Sequence, residues 1–563
     1  MKKPKRQLKK PLKVVLELIV IALLLVAGWK IGPALEQKVE GTGNLQSDEQ
    51  HEQQVQGIPI EEESSTPSSA ITDLLEESEK QLGNTATIPP AGPVETPTVT
   101  ERFIKARGYC NSFAGYTAAI VANGGLETSP NSYYYENGLD VSIKIEDDDD
   151  VIIEAFKNGE IDFFFMTVNK MSLVCKELQD ANKEVIIPYI TDTSTGGDGI
   201  VANGDYNSIS SLQNAKIGMA RNSVSEAMLL WLFNIQSDID VNTVINNFEL
   251  YNSTQEAVDA FVRGEVSAVA TWDLTSALKS EESHLLFSSK DAEYLIIDAL
   301  VVDKTFAEQN PDVITTIIDG CITAVNDINN RVDVGETYDI IRESIPDFAT
   351  YDNVTMAELL NDSKQLGFEK NLEAFDIAPG IYQDFCTVWS QIGFDTNPEY
   401  VSSLFDNSYI SNLSSKWANA ESSVTEESIV ATENVLDREA LVSQTANLLF
   451  EANSGEFLQG YEEEDEAMLD EFVKIAKVLN RMVIKIEGNV SLTPGNTSTE
   501  FDYELSRMRA QHAKEYMVEH GIDEQRIIIV ANGGDKPITT NETAEGRRAN
   551  RNCIISFYQG ETE

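Results

Sequence analysis

The 563-residue chain has few of the side chains on which metal-dependent and nucleophilic enzymes rely. It contains only five cysteines, widely spaced and without a CxxC pair, at positions 110, 175, 321, 386 and 553. This argues against a zinc ribbon, an iron–sulfur cluster or a disulfide-dense scaffold. It contains only four histidines, none in an HxxxH-type pair, at positions 51, 284, 512 and 520. We therefore expect no metal, no cofactor and no catalytic residues.

Positive charge is scarce outside the N-terminus. The chain carries 93 acidic and 42 basic residues, a formal net charge of −51. Residues 1–30 contain eight of the bases and a single acid, Glu17, so the remaining residues carry a net charge of −58. A surface this acidic repels phosphate backbones, so nucleic acid is not an expected partner. The hydrophobic fraction of 42% is nevertheless enough for sizeable cores, and the length suggests two to four domains of roughly 100–200 residues.

A long apolar run follows the basic N-terminus. Residues 1–13 form a basic tail, and the next residues read VVLELIVIALLLVAGWKI. This run is about as long as the roughly 17–25 residues of a transmembrane helix. The positive-inside rule keeps the tail in the cytoplasm. The sequence therefore predicts a single-pass signal anchor over residues 14–33, with the folded domains on the extracytoplasmic side of the cell membrane. A cleaved signal peptide is less favoured, because no clear A-x-A site follows.

Residues 34–100 contain no pattern that could build a core. They are polar, acidic and proline-bearing, with few aromatic residues. This composition is typical of a disordered linker. We expect the segment to hold the next domain away from the membrane.

Short apolar strands alternate with helices from residue 101 to about 415. The segment LDVSIKI and the segment IDFFF are predicted strands, and Ser223–Ile235 and Thr254–Gly264 are predicted helices. The alternation is typical of an α/β fold whose parallel sheets are covered on both faces. Such sheets bind ligands beyond the carboxyl ends of their strands.

Polar and aromatic side chains follow these predicted strands. Hydroxyls, amides and charges that converge there suit a small polar solute. The candidate ligand-binding residues are Ser112, Phe113, Tyr116, Thr167, Asn169, Thr193, Ser194, Gly197, Asp198, Arg221, Ser223, Ser225, Trp272 and Asp273.

Some of these residues also have a purely structural interpretation. Asp198 lies beside two glycines and would either hold an amine or cap neighbouring backbone. Trp272 would either line the cleft or pack between lobes, and Arg221 would be a surface residue unless the ligand is anionic. The acidic run Glu146–Asp150 is interpreted as a solvated helix cap rather than a calcium site.

Most of residues 108–325 show a recognisable succession of segments. They include VIIEAFKNGEIDFFF, SISSLQNAKIGMARNSVSE and STQEAVDAFVRGEVSAVATWD. This succession resembles the extracytoplasmic solute-binding proteins of ABC importers, of the nitrate/sulfonate/taurine and thiamine-precursor type. The resemblance implies a two-lobed periplasmic-binding-protein-like domain over residues 101–415, with its second lobe at about 208–298. It also implies solute in the interlobe cleft and an ABC permease as a partner.

A second folded unit is predicted over residues 437–560, after an acidic linker at 416–436. Its pattern is an α+β sandwich, with a strand over residues 446–458 and helices at Glu463–Asn480 and Phe501–His520. Its motifs are LSRMRA, GGDKP and GRRANR. Together they resemble the OmpA-like peptidoglycan-associated domain.

That resemblance implies a wall-binding site with one substitution. The implied peptidoglycan-binding residues are Ser491, Asp502, Arg509, Asn550 and Arg551. Ser491 stands where the family has an aspartate that receives the amine of the peptide stem, and Asp502 is a candidate replacement. The arginines would hold a stem carboxylate by bidentate contacts. A different wall polymer or a protein partner is the alternative.

The sequence thus favours a membrane-anchored receptor that binds a solute without chemistry and contacts peptidoglycan. The alternative is an envelope scaffold or sensor whose solute-binding fold contacts a protein partner. Some proteins of this fold make the thiamine pyrimidine, but they use histidine and cysteine clusters. An enzyme is therefore not expected.

Overall fold

The computed structural model describes residues 103–236, 239–280, 282–330, 334–418, 429–432, 434, 438–451 and 453–560. All of them belong to one compact unit, Thr98–Glu563. The predicted anchor at 14–33 and the linker at 34–100 lie outside the described residues. Within the described part of the chain, no helix combines the length and the apolar character that a membrane span requires.

The first lobe is built on a six-stranded sheet of order β11-β4-β10-β3-β1-β2. Strand β1 pairs in parallel with β2 and with β3. Strand β10 pairs antiparallel with β3 and with β4, and β11 pairs antiparallel with β4. Every residue of β4 is buried, as expected for a strand covered on both faces. The strands are β1 Ile104–Cys110, β2 Leu139–Ile145, β3 Phe163–Thr167, β4 Val185–Ser194, β10 Ile297–Asp303 and β11 Ser363–Gln365.

Helices cover both faces of this sheet. Side-chain oxygens of Asp148 and Thr167 cap two of them by accepting backbone N–H groups, which satisfies donors that have no partner within the helix. The helices before the second lobe are α1 Thr117–Asn123, α2 Tyr133–Glu136, α3 Asp149–Lys157 and α4 Val168–Asp180.

The second lobe has a five-stranded sheet of order β7-β6-β8-β5-β9. It begins at Gly199, before the predicted boundary near residue 208, because β5 already pairs with β8 and β9. The strands are β5 Gly199–Asn203, β6 Ile217–Ala220, β7 Phe248–Tyr251, β8 Ala268–Thr271 and β9 Ser283–Ser288. The helices are α5 Val224–Asn234, α6 Val241–Val244, α7 Thr254–Val262 and α8 Leu274–Ala277.

The chain then returns to the first lobe and adds a helical segment, as predicted. The edge strand β11 within this segment was not predicted, because its three residues, SKQ, are polar. The helices are α9 Lys304–Gln309, α10 Pro311–Asn329, α11 Val334–Ser344, α12 Asn353–Asp362, α13 Phe368–Gln391, α14 Val401–Leu404, α15 Ser408–Ser411 and α16 Ser414–Trp417.

The C-terminal domain is a four-stranded sheet of order β12-β15-β13-β14. Its strands are β12 Val442–Ala446, β13 Met482–Gly488, β14 Ile527–Ala531 and β15 Cys553–Gln559. Its helices are α17 Glu462–Val478, α18 Glu500–Glu519 and α19 Ala544–Ala549.

The strand predicted over residues 446–458 is wrong. The first strand of the domain is the preceding segment VSQTA, which pairs antiparallel with β15. The apolar side chains that suggested a strand pack differently: Phe450 and Phe457 form an isolated bridge, and their ring centroids are 5.7 Å apart.

Candidate functional site

A row of four polar side chains crosses the first-lobe sheet at the end where the chain leaves for the second lobe. We call it the polar row. Asp192 on β4 lies directly opposite Asp298 on β10, and the row continues to Gln365 on β11 and Thr167 on β3. Residues directly opposite on neighbouring strands project from the same face of a sheet. The register therefore places two carboxyl groups side by side in the interior.

The segment before α1 covers the polar row. The Tyr116 hydroxyl donates a hydrogen bond to Asp298 Oδ1. The amide of Gln365 holds the start of α1, which follows directly on this segment, because its Oε1 accepts the Ala118 N–H at 3.0 Å and its Nε2 donates to Thr117 Oγ1 at 2.9 Å. A side chain at Gly115 would not fit, since a Cβ there would lie 2.3 Å from Asp192 Oδ2.

The two crossovers between the lobes meet beside the polar row. Ser289 Oγ accepts the N–H groups of Gly196 at 3.0 Å and of Asp198 at 3.2 Å. Asp198 in turn accepts hydrogen bonds from Ser194 Oγ at 3.0 Å and from Ser225 Oγ, on α5 of the second lobe, at 3.4 Å. Asp198 thus connects the crossover to the second lobe.

Three carboxyl groups here have raised pKa values. Burial raises the pKa of Asp192 well above its usual value, and the neighbouring Asp298 and Asp198 raise it further. Burial is also the main cause for Asp298, whose pKa rises to about 7, and for Asp198, whose pKa rises to about 6. Asp192 is 0% exposed, and neither of its carboxyl oxygens has a hydrogen-bond partner among the described residues. The site therefore contains a buried acid that lacks a partner of its own.

Several predicted ligand-binding residues instead have local structural contacts. Thr167, Ser223 and Asp273 are N-caps of α4, α5 and α8. Ser112 is held by Asp147, which accepts its N–H at 2.7 Å and its hydroxyl at 3.2 Å. The acidic run therefore binds backbone and hydroxyl donors. Among the described residues, no group of three or more acidic, histidine or cysteine side chains is placed to hold a metal.

The remaining predicted residues divide between interior and rim. Thr193 and Asn169 are buried, and Asn169 donates to the Leu295 carbonyl at 3.3 Å. Phe113 packs edge-on against Tyr116, with ring centroids 5.3 Å apart. Trp272 is 63% exposed, so it does not pack between the lobes. Trp272 follows β8. Gly197 and Arg221, which lie on other loops, are exposed as well.

The list of candidates omitted Asp192, Asp298, Ser289 and Gln365. Two of them carried a usable signal, because an aspartate interrupts each of the apolar runs, Asp192 in VIIPYITDTS and Asp298 near the start of IDALVVD. An acid in a fully buried strand is rarely without function, since charged residues are seldom buried unless paired. The other two had no sequence signal.

Three of the C-terminal candidates, Ser491, Arg509 and Arg551, lie near the end of β13. Arg509 is only 2% exposed, and its Nη1 donates to the Asn489 carbonyl at 3.1 Å while its guanidinium lies over the Phe450 ring. Burial lowers the pKa of Arg509 to about 10. Arg551 is half-buried and donates to Ser491 Oγ at 3.3 Å. Arg551 is therefore the more accessible of the two guanidinium groups.

Two other C-terminal candidates have structural contacts. Asp502 forms a capping box with Thr499, whose N–H and hydroxyl donate to Asp502 Oδ2 at 2.8 and 2.7 Å. Asn550 is buried and bonds both backbone groups of Thr539. The carboxylate of Asp502 thus caps its own helix, and Asn550 fixes a loop.

Comparison with known proteins agrees with this architecture, a two-lobed α/β domain followed by a second, smaller α/β domain. Residues 129–330 match the family model described as NMT1/THI5 like, and residues 449–551 match that of the OmpA family. The chain therefore carries an NMT1/THI5-like domain and an OmpA domain.

Individual relatives are distant. Outer membrane protein A of Bordetella avium is 35% identical over 94 residues, which are 17% of this chain and 47% of that protein. The chain thus spans about half the length of this curated relative. The periplasmic aliphatic sulphonate binding protein of Escherichia coli is 14% identical, with a TM-score of 0.40, over 54% of this chain and 98% of that one. A periplasmic sulfonate-binding protein of Methylobacillus flagellatus KT is 17% identical, with a TM-score of 0.44, over 57% and 99%.

Proposed function

We propose that the chain is an extracytoplasmic receptor that binds a small polar solute between its two lobes, at the polar row. The observation that supports this most directly is Asp192, a fully buried carboxyl group for which the described residues offer no hydrogen-bond partner. A buried polar group is costly when unpartnered, so this position favours a ligand. The family matches support an envelope location, and an ABC permease is the partner that the fold suggests.

Ligand occupancy tests the receptor proposal. The full-length chain is purified in detergent, and small molecules released on denaturation are identified by mass spectrometry. We expect a bound solute whose addition raises the melting temperature, because a ligand that binds only the folded state stabilises it. Asp198→Ala should abolish that rise. Asp303→Asn, at the far end of β10, should retain it. A rise that survives in Asp198→Ala would place the site elsewhere.

We also propose that residues 14–33 anchor the protein in the cell membrane. The proposal is supported by the basic tail and the apolar run that follows it. Cell fractionation should recover the full-length chain in the membrane, and protease added outside should remove the residues after about position 34. A mature protein that starts near residue 33 in the soluble fraction would refute the anchor.

For the C-terminal domain we propose contact with peptidoglycan through Arg551, Arg509 and Ser491. Support comes from the match to the OmpA family and from the proximity of Arg551 to Ser491. Ser491 offers a neutral hydrogen bond where the family has a charge-assisted one. The two bonds differ in free energy by about 1 kcal/mol, which corresponds to roughly fivefold weaker binding of peptidoglycan.

Sedimentation of the protein with purified peptidoglycan tests this contact. Arg551→Ala should release the protein, and Ser491→Asp should increase the bound fraction. Arg507→Ala is the control, because Arg507 is an exposed arginine of α18 that pairs with Glu504 at 2.6 Å and lies outside the proposed contact. If only Ser491→Asp sediments, the domain serves another partner.

A second candidate function is an envelope sensor rather than a transport receptor. It is favoured by hydrogen bonds from the C-terminal domain to both lobes. Gln444 donates to the Ile235 carbonyl of the second lobe, and Lys474 pairs with Asp384 on α13. Deleting the associated permease separates the two functions, since uptake of the bound solute would then be lost only for a transport receptor.

A further inference from the structure

The polar row contains more negative charge than the surrounding protein balances. Asp192 and Asp298 face each other across β4 and β10, and like charges directly opposite on neighbouring strands destabilise a sheet. Asp198 is near enough to raise the pKa of both. Only one hydrogen bond, from the Tyr116 hydroxyl, reaches Asp298, and none of the described donors reaches Asp192.

Two basic side chains near the row are already paired elsewhere. Lys170, three residues after Thr167, lies 3.1 Å from Asp149. Lys364, next to Gln365, pairs with Glu293. Within the described ranges, no lysine or arginine forms an ion pair with Asp192, Asp198 or Asp298. The missing positive charge must therefore come from outside the chain or be replaced by protons.

Resting on the receptor function proposed above, we propose that the solute is an organic cation whose ammonium or guanidinium group lies against Asp192 and Asp298. Such a group donates several hydrogen bonds, which are strong when both partners are charged. It would satisfy the two carboxyl oxygens of Asp192, which have no partner within the described part of the chain. A metal ion fits less well, because no set of three acidic, histidine or cysteine side chains in the described chain is placed to hold one.

Aromatic rings beside the carboxyl groups support the same ligand chemistry. Tyr116 contacts Asp298, and Phe113 packs edge-on against Tyr116. A Phe113 ring carbon lies 2.6 Å from the position a Cβ at Gly115 would take, next to the Asp192 carboxyl group. Aromatic faces attract cations and also cover the alkyl part of an amine. The combination of acids and rings suits an alkylammonium or alkylguanidinium solute.

Exposure decreases from the crossover to the polar row. Gly197 is exposed, Asp198 is partly buried, and Asp192 and Asp298 are fully buried. Asp198 binds Ser225 of the second lobe, so separation of the lobes would break that contact. A sulfonate, as bound by the proteins of similar fold, would meet three carboxyl groups and be repelled.

The test compares matched probes on the full-length chain in detergent. Ethylamine, 1,4-diaminobutane and guanidinium are compared with ethanesulfonate and nitrate by calorimetric titration at pH 7.5 and equal ionic strength. We expect binding of one or more cations and none of the anions. Asp192→Asn and Asp298→Asn should each weaken cation binding about tenfold or more. Asp303→Asn, on the same strand β10, should leave it unchanged.

Mass spectrometry of the solute that co-purifies with the chain completes the test. A co-purified amine or guanidine supports the proposal even if the simple probes bind weakly. A co-purified anion or neutral compound, or binding of the anionic probes, would overturn the cation and leave the receptor standing. A chain that co-purifies with no solute and binds no probe would overturn the receptor and the cation together. Cation binding that is equal in wild type and Asp192→Asn would place the ligand away from the polar row.

Discussion

At the scale of single residues, the carboxyl groups of the polar row make the stability of the empty protein depend on pH. The pKa values of Asp192 and Asp298 are raised, so the folded state holds their protons more tightly than the unfolded state does. Stability from these groups is fully present below the unfolded pKa, about 4, and is lost as the pH rises through about 7 for Asp298. The titratable groups that interact with these two carboxyl groups are Tyr116 and Asp198. Asp149 also raises the pKa of Tyr116.

We predict that Asp192→Asn removes part of this dependence. Without added solute, the free energy of unfolding of the wild type should fall between pH 5 and pH 8 by an amount on the order of 1–4 kcal/mol more than that of the variant. Denaturant unfolding at the two pH values measures the difference. Asp303→Asn is the control and should follow the wild type. Parallel pH profiles for wild type and Asp192→Asn would contradict the electrostatic account of the site.

The same residues show how far the sequence leads to the site. Ser194 and Asp198 were predicted because they follow a strand, Tyr116 was predicted in the helix after the first strand, and all three contact the polar row or its crossovers. Asp192 also follows the predicted strand segment VIIPYIT but was not chosen as a candidate. Asp298 lies within a strand whose apolar residues read as buried, so the strand-end rule passes over it. Their closeness depends on the register of β4 against β10, which local sequence patterns do not specify.

At the scale of elements, the close approach of the segment before α1 to β4 requires a glycine. A Cβ at Gly115 would lie 2.3 Å from Asp192 Oδ2 and 2.6 Å from a Phe113 ring carbon. We predict that Gly115→Ala displaces this segment and destabilises the protein by about 1–3 kcal/mol, as expected for overpacking in a dense interior. It should also weaken solute binding, because Tyr116 moves with the segment.

The matched control for Gly115→Ala is Gly335→Ala. Gly335 lies on α11, and nothing is within 4 Å of a Cβ built there. Alanine is the better helix former, so this change should raise the melting temperature slightly or leave it unchanged. Thermal unfolding of both variants, with and without solute, makes the comparison. Equal stability of the two variants would mean that the segment before α1 accommodates the added methyl group without a loss of stability.

Most elements agree with prediction where periodicity is strong. The strand LDVSIKI occupies Leu139–Ile145, and its buried and partly buried positions alternate. The polar strands β11 and β12 were not predicted, because each is stabilised by pairing with a neighbouring strand rather than by an apolar pattern of its own side chains. Edge strands of this kind depend on tertiary context.

At the scale of the whole molecule, the C-terminal domain contacts the binding domain on both lobes. Asp384 on α13 accepts a hydrogen bond from Trp231 Nε1, on α5 of the second lobe, at 3.1 Å. Its other oxygen pairs with Lys474 on α17 of the C-terminal domain. Nearby, Glu293 in the returning crossover accepts from Asn480 Nδ2 at 2.9 Å. A separation of the lobes would therefore strain contacts that the C-terminal domain makes.

Asp384 is the residue at which all three parts meet, and its removal should cost more than removal of the charge on Lys474. We predict that Asp384→Ala lowers the free energy of unfolding by about 1–3 kcal/mol, because the buried Trp231 Nε1 loses its acceptor. Lys474→Ala should cost only about 0.5–1 kcal/mol, since its ion pair is partly exposed to solvent. Lys477→Ala, an exposed lysine of the same helix, should cost nothing measurable. The double variant Asp384→Ala/Lys474→Ala should be less destabilised than the sum of the two single changes, because the pair is lost only once. Denaturant unfolding of the wild type and the four variants measures these values. Strictly additive losses in the double variant would mean that Lys474 and Asp384 do not couple the domains in solution.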